Sequence, residues 1–179
     1  LNIDAGNPLS YPGTGNTIYD LSGFGHTFTL INGAVFSNLF GGNFYCDGTN
    51  DYIEAEPTSA LEFGSNNFSV EYWYRKVEYT SGTDNIWGPN IWRAGPNDST
   101  NNEWALGIGS GESGIGESGL FYIQGTSSAY RTNELPLSYN LNKFNHLVGI
   151  RKNNQIQLYY NGSLLQSTDY SGTFTTSTS

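Results

Sequence analysis

The sequence predicts an all-β fold in which two antiparallel sheets pack face to face as a sandwich. Composition is the first reason: charged residues make up 13% of the 179 residues and aromatic residues 15%. Together with abundant Gly, Ser, Thr, Asn and Tyr, this suits short strands joined by turns. The second reason is a repeated alternation of apolar and polar residues, and the third is the clusters of turn residues between these runs. The length suits a single domain over residues 1–179.

The clearest alternation lies in the segment FSVEYWYRKV, which begins at Phe68. One face of the predicted strand holds Phe68, Val70, Tyr72 and Tyr74, and the opposite face holds Ser69, Glu71, Trp73 and Arg75. Side chains of a strand point alternately to its two sides, so the pattern predicts one buried and one exposed face. The tryptophans in predicted strands, Trp73, Trp92 and Trp104, are expected in the core or on a sheet surface.

A three-stranded meander is predicted towards the end of the chain. Strands over Phe144–Arg151 and Gln155–Tyr160 flank the turn residues Asn153 and Asn154. The dipeptide Asn161-Gly162 then predicts a second tight hairpin of the primed type, because both of its residues tolerate a left-handed backbone.

Further short apolar runs are each bounded by turn residues and are predicted to be strands. They are Thr27–Leu30, Gly42–Cys46, Tyr52–Ala55, Ile91–Ala94, Trp104–Ile108 and Leu120–Gln124. Tyr79–Asn90 and Gly109–Gly119 are predicted to be long exposed loops, where a rigid sandwich often carries its binding function. The second loop contains the spacing of a dinucleotide-binding fingerprint, but a strand follows it instead of a helix, so a hairpin loop is predicted there.

Charge and cysteine content exclude several classes of function. Seven basic residues against sixteen acidic ones give a net charge of −9, which disfavours nucleic acid and anionic membranes as partners. A lone cysteine, Cys46, is expected to be a buried thiol because it lies in an apolar run. With two histidines and one cysteine, a zinc site is poorly supported. No apolar run is long enough for membrane insertion.

Four segments, taken in order, resemble one known family. They are SYPGTGNTIYDLSGFGHTFTLINGAVFS, GGNFYCDGTNDYIEA, FSVEYWYRK and NHLVGIRKNNQIQLYYNGSLL, and the resemblance extends from about Asp4 to Gln166. Together they resemble the laminin-G-like jelly-roll domains of the concanavalin A-like lectin/glucanase superfamily, which includes relatives of the pentraxins. The second segment contains a turn, Cys46–Tyr52, that departs slightly from the family pattern, because Tyr45-Cys46 stands where a phenylalanine is usual.

The resemblance implies a jelly-roll sandwich that binds glycans or surface proteins, sometimes with calcium, in an extracellular, cell-surface or virion setting. Family members close the sandwich with further strands after the Asn-Gly hairpin. The chain begins at Leu1, lacks methionine and ends in TTSTS, so we expect an excerpt of a longer protein. We expect the closing strands to lie outside the structure, to be cleaved away or to be supplied by a neighbouring chain, and an open sheet edge favours such association.

Enzymatic activity is not expected. Glycoside hydrolysis needs two carboxyl groups that face one bond, and the glucanase branch of the superfamily supplies them from a Glu-x-Asp-x-x-Glu strand that does not occur here. Glu54 and Glu56 share a strand face but are interpreted as a solvated strand end. A serine triad would need His26 or His146, and His146 falls within a predicted strand.

Calcium is a possible cofactor, and two clusters of oxygen-bearing side chains are candidates for it. The first is Asp47 and Asp51 with Asn50, whose side chains alternatively stabilise the turn by bonds to its own backbone. The second is Asn102 and Glu103, which resemble the pentraxin ligand loop, although an asparagine stands where that family has an aspartate.

The predicted function is a non-catalytic glycan-binding or adhesion module. Aromatic side chains stack on sugar rings while amides and carboxylates bind the hydroxyls, so the candidate glycan contacts are Tyr79, Trp87, Asn101 and Tyr130. The alternative is a structural or decoration module of a virion or extracellular assembly, in which the same loops contact protein.

Overall fold

The computed structural model describes residues 1–55, 58, 61, 63, 66–77, 90–94, 102–110, 117–124, 129–132, 135–136 and 142–170. The chain divides into two compact units, Leu1–Glu62 and Phe63–Ser179. The prediction of a single domain over residues 1–179 stays a prediction.

Two small antiparallel sheets form the first unit. Its described strands are β1 (Thr17–Tyr19), β2 (Thr27–Ile31), β3 (Val35–Ser37), β4 (Asn43–Tyr45) and β5 (Tyr52–Ala55). One sheet has the order β1-β2-β5, and β3 pairs with β4. The three strands predicted in this unit are confirmed.

Aromatic rings fill the core of the first unit. The buried residues Tyr11, Ile18 and Leu30 form its centre. The Tyr11 ring lies 5.0 Å from the Phe36 ring and 5.4 Å from the Phe44 ring, distances typical of packed aromatic pairs. The Tyr11 hydroxyl donates a 2.6 Å hydrogen bond to the carbonyl of Gly15, so its polar end is satisfied inside the core.

Two larger antiparallel sheets form the second unit. Its described strands are β6 (Phe68–Arg75), β7 (Asn90–Ala94), β8 (Asn102–Ser110), β9 (Glu117–Gln124), β10 (Ala129–Arg131), β11 (Leu135–Pro136), β12 (Phe144–Lys152), β13 (Gln155–Tyr160) and β14 (Ser163–Asp169). One sheet has the order β14-β13-β12-β6, and the other has the order β10-β9-β8-β7 with β11 also paired to β9. The predicted strands and the three-stranded meander of this unit are confirmed.

The two sheets of the second unit pack face to face. The Phe68 ring of β6 lies 6.3 Å from Trp104 of β8 and 6.1 Å from Phe121 of β9. A side chain at Gly149 of β12 would place its Cβ 2.5 Å from the Phe121 ring, so the glycine makes room for this ring between the sheets. Trp104 is buried, as predicted. The unit is therefore an antiparallel β-sandwich.

Left-handed residues close both hairpins of the meander. Asn153 and Asn154 have φ values of 49° and 62°, and Asn161 and Gly162 have values of 48° and 82°. Two successive residues with positive φ are the requirement of a primed turn, whose twist matches that of the flanking strands. The predicted hairpin at Asn161-Gly162 is confirmed.

The predicted loop Gly109–Gly119 is too long. Strand β8 continues to Ser110 and β9 begins at Glu117, and these two residues are paired in the antiparallel register. The hydrogen bonds between paired strands use only backbone groups. Glycine and serine can therefore extend the strands beyond the apolar residues from which the strands were predicted. The strand that follows the glycine-rich motif is confirmed. Of the loop predicted over Tyr79–Asn90, Asn90 begins β7 and the rest lies outside the described residues.

Within the described part of the chain, no helix has the length and apolar character needed to cross a lipid bilayer.

Candidate functional site

The candidate site is the outward face of the four-stranded sheet β14-β13-β12-β6. Along β12 and β13 every second side chain is buried, and the inward residues Leu147, Ile156 and Leu158 are fully buried. The residues between them therefore point to the opposite side of the sheet. Strand β6 shows the same alternation from Phe68 to Tyr74, as the sequence predicts.

Trp73 is the most exposed aromatic residue described on this face. Its exposed fraction is 66%, which is high for a side chain of this size. Trp73 lies directly opposite His146 in the register of β6 and β12. The two rings are stacked, with centroids 4.6 Å apart and an angle of 8° between their planes, so His146 holds the indole in a defined orientation.

A carboxylate lies beside this aromatic pair. The Glu71 Oε2 atom is 3.1 Å from the Nε2 atom of His146, and Glu71 shares the outward face with Trp73 because it precedes it by two residues. The side chain of Glu71 is 66% exposed, whereas that of His146 is 20% exposed. Glu71 thus offers hydrogen-bond acceptor capacity to solvent at the edge of the indole.

A guanidinium group lies on the other side of Trp73 along β6. Arg75 donates hydrogen bonds from Nε to the carbonyl oxygen of Asn142, at 3.1 Å, and from Nη2 to the Asn142 Oδ1 atom, at 3.2 Å. Two bonds to one residue fix the orientation of the planar group. The indole is therefore bordered by an acceptor at Glu71 and a positioned donor group at Arg75.

Apolar side chains continue across the outward face. Val148 lies opposite Glu71 on one side and opposite Tyr159 on the other, and Tyr159 lies opposite Leu164 of β14. The Tyr159 hydroxyl donates a 3.2 Å hydrogen bond to the Oε1 atom of Gln157. Aromatic, aliphatic and amide groups thus alternate over three neighbouring strands.

A hydrogen-bond network beneath His146 fixes the backbone at the site. The Asn161 Oδ1 atom accepts a 2.8 Å bond from the His146 N–H. Buried Asn145 accepts bonds from the Tyr160 hydroxyl at 2.7 Å and from Asn161 Nδ2 at 3.2 Å. The hairpin after β13 therefore holds the strand that presents His146 to Trp73.

Two half-buried tyrosines support β6 from the inward side. Burial raises the pKa of Tyr72 well above its usual value, and the neighbouring Tyr74 adds to the effect. For Tyr74, burial is again the main cause of a raised pKa, and the charge and hydrogen bond of Tyr160 add to it. Both groups are neutral at physiological pH.

The predicted glycan contacts fall largely outside this face. Tyr79, Trp87 and Asn101 lie outside the described residues. Tyr130 belongs to the short strand β10, where it pairs with Ile123, so it is a strand residue and not a loop residue. These four assignments stay predictions.

The predicted calcium ligands occupy two separate places. Asn102 and Glu103 form the beginning of β8 instead of a loop before it, with Asn102 opposite Ala94. In the first unit, Asp47 Oδ1 accepts a 2.8 Å bond from the Thr49 N–H, and Asp51 Oδ2 accepts a 3.0 Å bond from the Asp47 N–H.

The carboxylates of Asp47 and Asp51 therefore stabilise their turn, as the alternative interpretation predicts. Across the described residues, no group of three or more His, Cys, Asp or Glu side chains is arranged to hold a metal ion. A calcium site here stays a prediction.

The prediction of a buried thiol at Cys46 is wrong, because the residue is exposed. It lies just beyond the last residue of β4, so the alternation of the strand no longer applies to it. Partial burial of the thiol raises the pKa of Cys46, and the negative charges of Asp51 and Asp47 raise it further.

Comparison with known proteins agrees with this architecture. A model of the Laminin_G_3 family, described as the concanavalin A-like lectin/glucanases superfamily, matches residues 47–179. The chain belongs to this laminin-G-like family. The match begins at the Asp47 turn, whereas the resemblance in sequence extends back to Asp4. A comparison with curated proteins gave no match.

Membership of the laminin-G-like family indicates a general class of function. Laminin-G-like domains are generally lectin-like or adhesion modules, and they are typically extracellular. The outward face of β6, β12 and β13 lies entirely within the part of the chain that the family covers.

Sequence reasoning did not include the exposed Trp73 among the candidate contacts. Alternation correctly predicts that Trp73 points away from the core, on the same face as Glu71, but the residue is interpreted there as packing on the sheet. A tryptophan among Ser69, Glu71 and Arg75 on the polar face is itself a signal, since such a position gives it no core to fill. The stacking partner His146 depends on the register between two strands 70 residues apart, which one sequence does not specify.

Proposed function

We propose that this domain is a non-catalytic recognition module that binds glycans through the outward face around Trp73. The observation that carries the proposal is the exposed indole, stacked on His146 and bordered by Glu71. The family supports a carbohydrate-binding or adhesion role, and we extend this to a setting outside the cell, at a cell surface or on a virion.

The chemistry of the face suits a sugar ring. A pyranose has an apolar side that stacks on an indole, and hydroxyl groups around its edge that need hydrogen-bond partners. Glu71 offers a charged acceptor, and hydrogen bonds to charged groups are the stronger ones. Because His146 already orients the indole, little side-chain freedom is lost when a ligand binds.

The spacing of carboxylates supports binding without hydrolysis. Glycosidases place two carboxyl groups about 5 to 9.5 Å apart across the bond that is cleaved. Of the described acidic residues on this face, Glu71 lies on β6 and Asp169 lies three strands away on β14. Three strand spacings alone amount to about 14 Å, so these two groups cannot act on one glycosidic bond.

A glycan array probed with the purified 179-residue chain tests the proposal. We expect defined glycans to bind the unaltered protein and to lose most of their signal with Trp73→Ala, because removal of the stacking surface costs about 1 kcal/mol or more. Phe24→Ala is the matched control, since Phe24 is an exposed aromatic residue of the first unit. Equal binding by the protein and Trp73→Ala would contradict the proposal.

The same array tests the calcium prediction. Each glycan is probed with calcium and with a chelator, using Asp47→Asn and Asp51→Asn as variants. Loss of signal in chelator and in these variants would support an ion at the turn on which glycan binding depends, whereas unchanged signal would show that glycan binding requires neither the ion nor the two carboxylates.

A structural role in a larger assembly is the second candidate. It is favoured by exposed apolar side chains in the first unit, where Leu39 and Phe40 are 62% and 64% exposed. Exposed apolar clusters often mark protein contacts. A silent array together with stable oligomers in light scattering would support this candidate over glycan binding.

A further inference from the structure

We propose that the face around Trp73 binds an extended linear oligosaccharide that runs across the strands, with a second stacking position at Tyr159. This inference rests on the proposed function and adds the size and direction of the ligand. Its basis is the placement of two outward aromatic residues on β6 and β13, with an apolar side chain between them on β12.

The register of the sheet fixes the relative positions of the two aromatic residues. Glu71, Val148 and Tyr159 lie directly opposite one another on β6, β12 and β13. Trp73 is two residues beyond Glu71 along β6. With about 4.8 Å between strands and about 3.4 Å per residue, Tyr159 is displaced from Trp73 by about 10 Å across the strands and about 7 Å along them.

This displacement requires more than one sugar ring. Stacked rings have centroids within about 7 Å of each other, and the two aromatic residues are about 12 Å apart on the lattice of the sheet. A single pyranose therefore cannot stack on both Trp73 and Tyr159. An oligosaccharide that follows the diagonal between them can place different rings on each.

The surface between the two positions is suited to such a chain. Val148 is half-buried and separates Glu71 from Tyr159, so the floor there is apolar. Polar groups border it, because Glu71 lies at one end and Gln157 bonds the Tyr159 hydroxyl at the other. A row of rings with apolar faces and hydroxyl edges matches this order of groups better than a uniformly apolar partner does.

Charge argues against a second copy of the chain as the occupant. Each copy carries a net charge of −9, so two copies repel each other at long range. A neutral oligosaccharide brings no such repulsion to the face.

The test is a chain-length series on the same array. The probes are linear oligosaccharides from monosaccharides to octasaccharides in the gluco, manno, galacto and N-acetylglucosamine series. We expect affinity to rise by about tenfold or more between the monosaccharide and the longer members of the series that binds, because a second ring then stacks. Tyr159→Ala should remove this gain and leave the weak binding of the monosaccharide unchanged.

Two further variants keep the outcome interpretable. Tyr159→Leu preserves the bulk of a half-buried side chain while it removes the aromatic ring, so it serves if Tyr159→Ala unfolds. Tyr45→Ala is the control, since Tyr45 is an exposed tyrosine of the first unit. We expect Tyr159→Leu to lose the gain with length and Tyr45→Ala to retain it.

The outcomes separate this inference from the proposed function. If the monosaccharide binds as tightly as the octasaccharide and Trp73→Ala abolishes both, the extended ligand is wrong and the proposed function stands. If Tyr159→Leu keeps the full gain with length, the second position is wrong. If no probe binds, both the proposed function and the extended ligand are contradicted.

Discussion

At the scale of single residues, the position of a side chain at a turn or on a sheet face decides whether it is exposed to solvent. Cys46 and Trp73 illustrate the point in opposite directions. The sequence predicts a buried Cys46 because its neighbours are apolar, yet it lies one residue past the end of its strand and is exposed. Trp73 is apolar and yet exposed, because strand parity places it on the polar face. In both cases the exposure of the residue is decided by its position along the strand and not by the apolar character of the side chain or of its neighbours.

We predict that exposed Cys46 reacts slowly with a thiol reagent such as Ellman's reagent. Partial burial and the charges of Asp51 and Asp47 raise the pKa of its thiol, and only the thiolate reacts. At pH 8 the rate should lie below that of glutathione and should rise steadily at higher pH.

Asp47→Asn provides the matched test of this charge effect. The substitution keeps an oxygen that can accept the Thr49 N–H bond and removes one negative charge, so the reaction should accelerate by less than about tenfold. Asp4→Asn, elsewhere in the first unit, should leave the rate unchanged. A thiol that reacts as fast as glutathione would show that the pKa is not raised.

At the scale of elements, the alternation of apolar and polar residues predicts where strands occur. It does not predict where each strand ends or which strand it pairs with. The inward face of β6 could be predicted because apolar and polar residues alternate along it, whereas β12 and β13 could be predicted as strands from the turn residues that flank them. β1 and β3 are not among the predicted strands, since three residues are too few for a period of two to show. The ends of β8 and β9 consist of glycine, serine and glutamate, which extend a ladder without any apolar signal.

Close approach of the two sheets at Gly149 yields a prediction of stability. Gly149→Ala should lower the free energy of unfolding of the second unit by about 1 to 3 kcal/mol, because the new Cβ would lie 2.5 Å from the Phe121 ring. The measurement is the urea midpoint, with Ser167→Ala, an exposed residue of β14, as the control.

A double-mutant cycle identifies the cause of this destabilisation. In a Phe121→Leu background the cost of Gly149→Ala should decrease, since the ring that obstructs the methyl group is gone. An equal cost in both backgrounds would assign the effect to the backbone freedom of glycine and not to packing between the sheets.

At the scale of the whole molecule, charge and fold together restrict the ligand. A net charge of −9 creates a long-range field that repels sulfated and carboxylated glycans, so neutral glycans are favoured. The sandwich and its family were predictable from ordered segments distributed along the chain. The proposed binding face was not, because it depends on strand register, and the predicted loop residues Tyr79, Trp87 and Asn101 lie outside the described residues.

Stability at alkaline pH should depend on the inward-facing tyrosines of β6. Burial raises the pKa of both Tyr72 and Tyr74 in the folded protein, whereas an unfolded tyrosine ionises at about pH 10. The stabilisation is therefore complete below about pH 10 and is lost as pH rises above it, because the unfolded chain releases its protons first.

Denaturant unfolding between pH 8 and pH 11 measures this dependence. Above pH 10, each tyrosine that stays protonated in the folded protein but ionises in the unfolded chain should lower the free energy of unfolding by up to about 1.4 kcal/mol per pH unit. Tyr72→Phe and Tyr74→Phe should each flatten the curve, and Tyr45→Phe, at an exposed position, serves as the control. Identical slopes in all four proteins would show that Tyr72 and Tyr74 do not govern alkaline unfolding.

The strict alternation along β6, β12 and β13 has a consequence for how specificity can change over time. Side chains that hold the sandwich together and side chains that meet solvent occupy different positions of the same strands, so the second set can mutate with little effect on the first. Relatives could thus acquire new ligand preferences through substitutions at a few outward-facing positions. A laboratory library restricted to positions 71, 73, 148, 157 and 159 would exploit the same freedom.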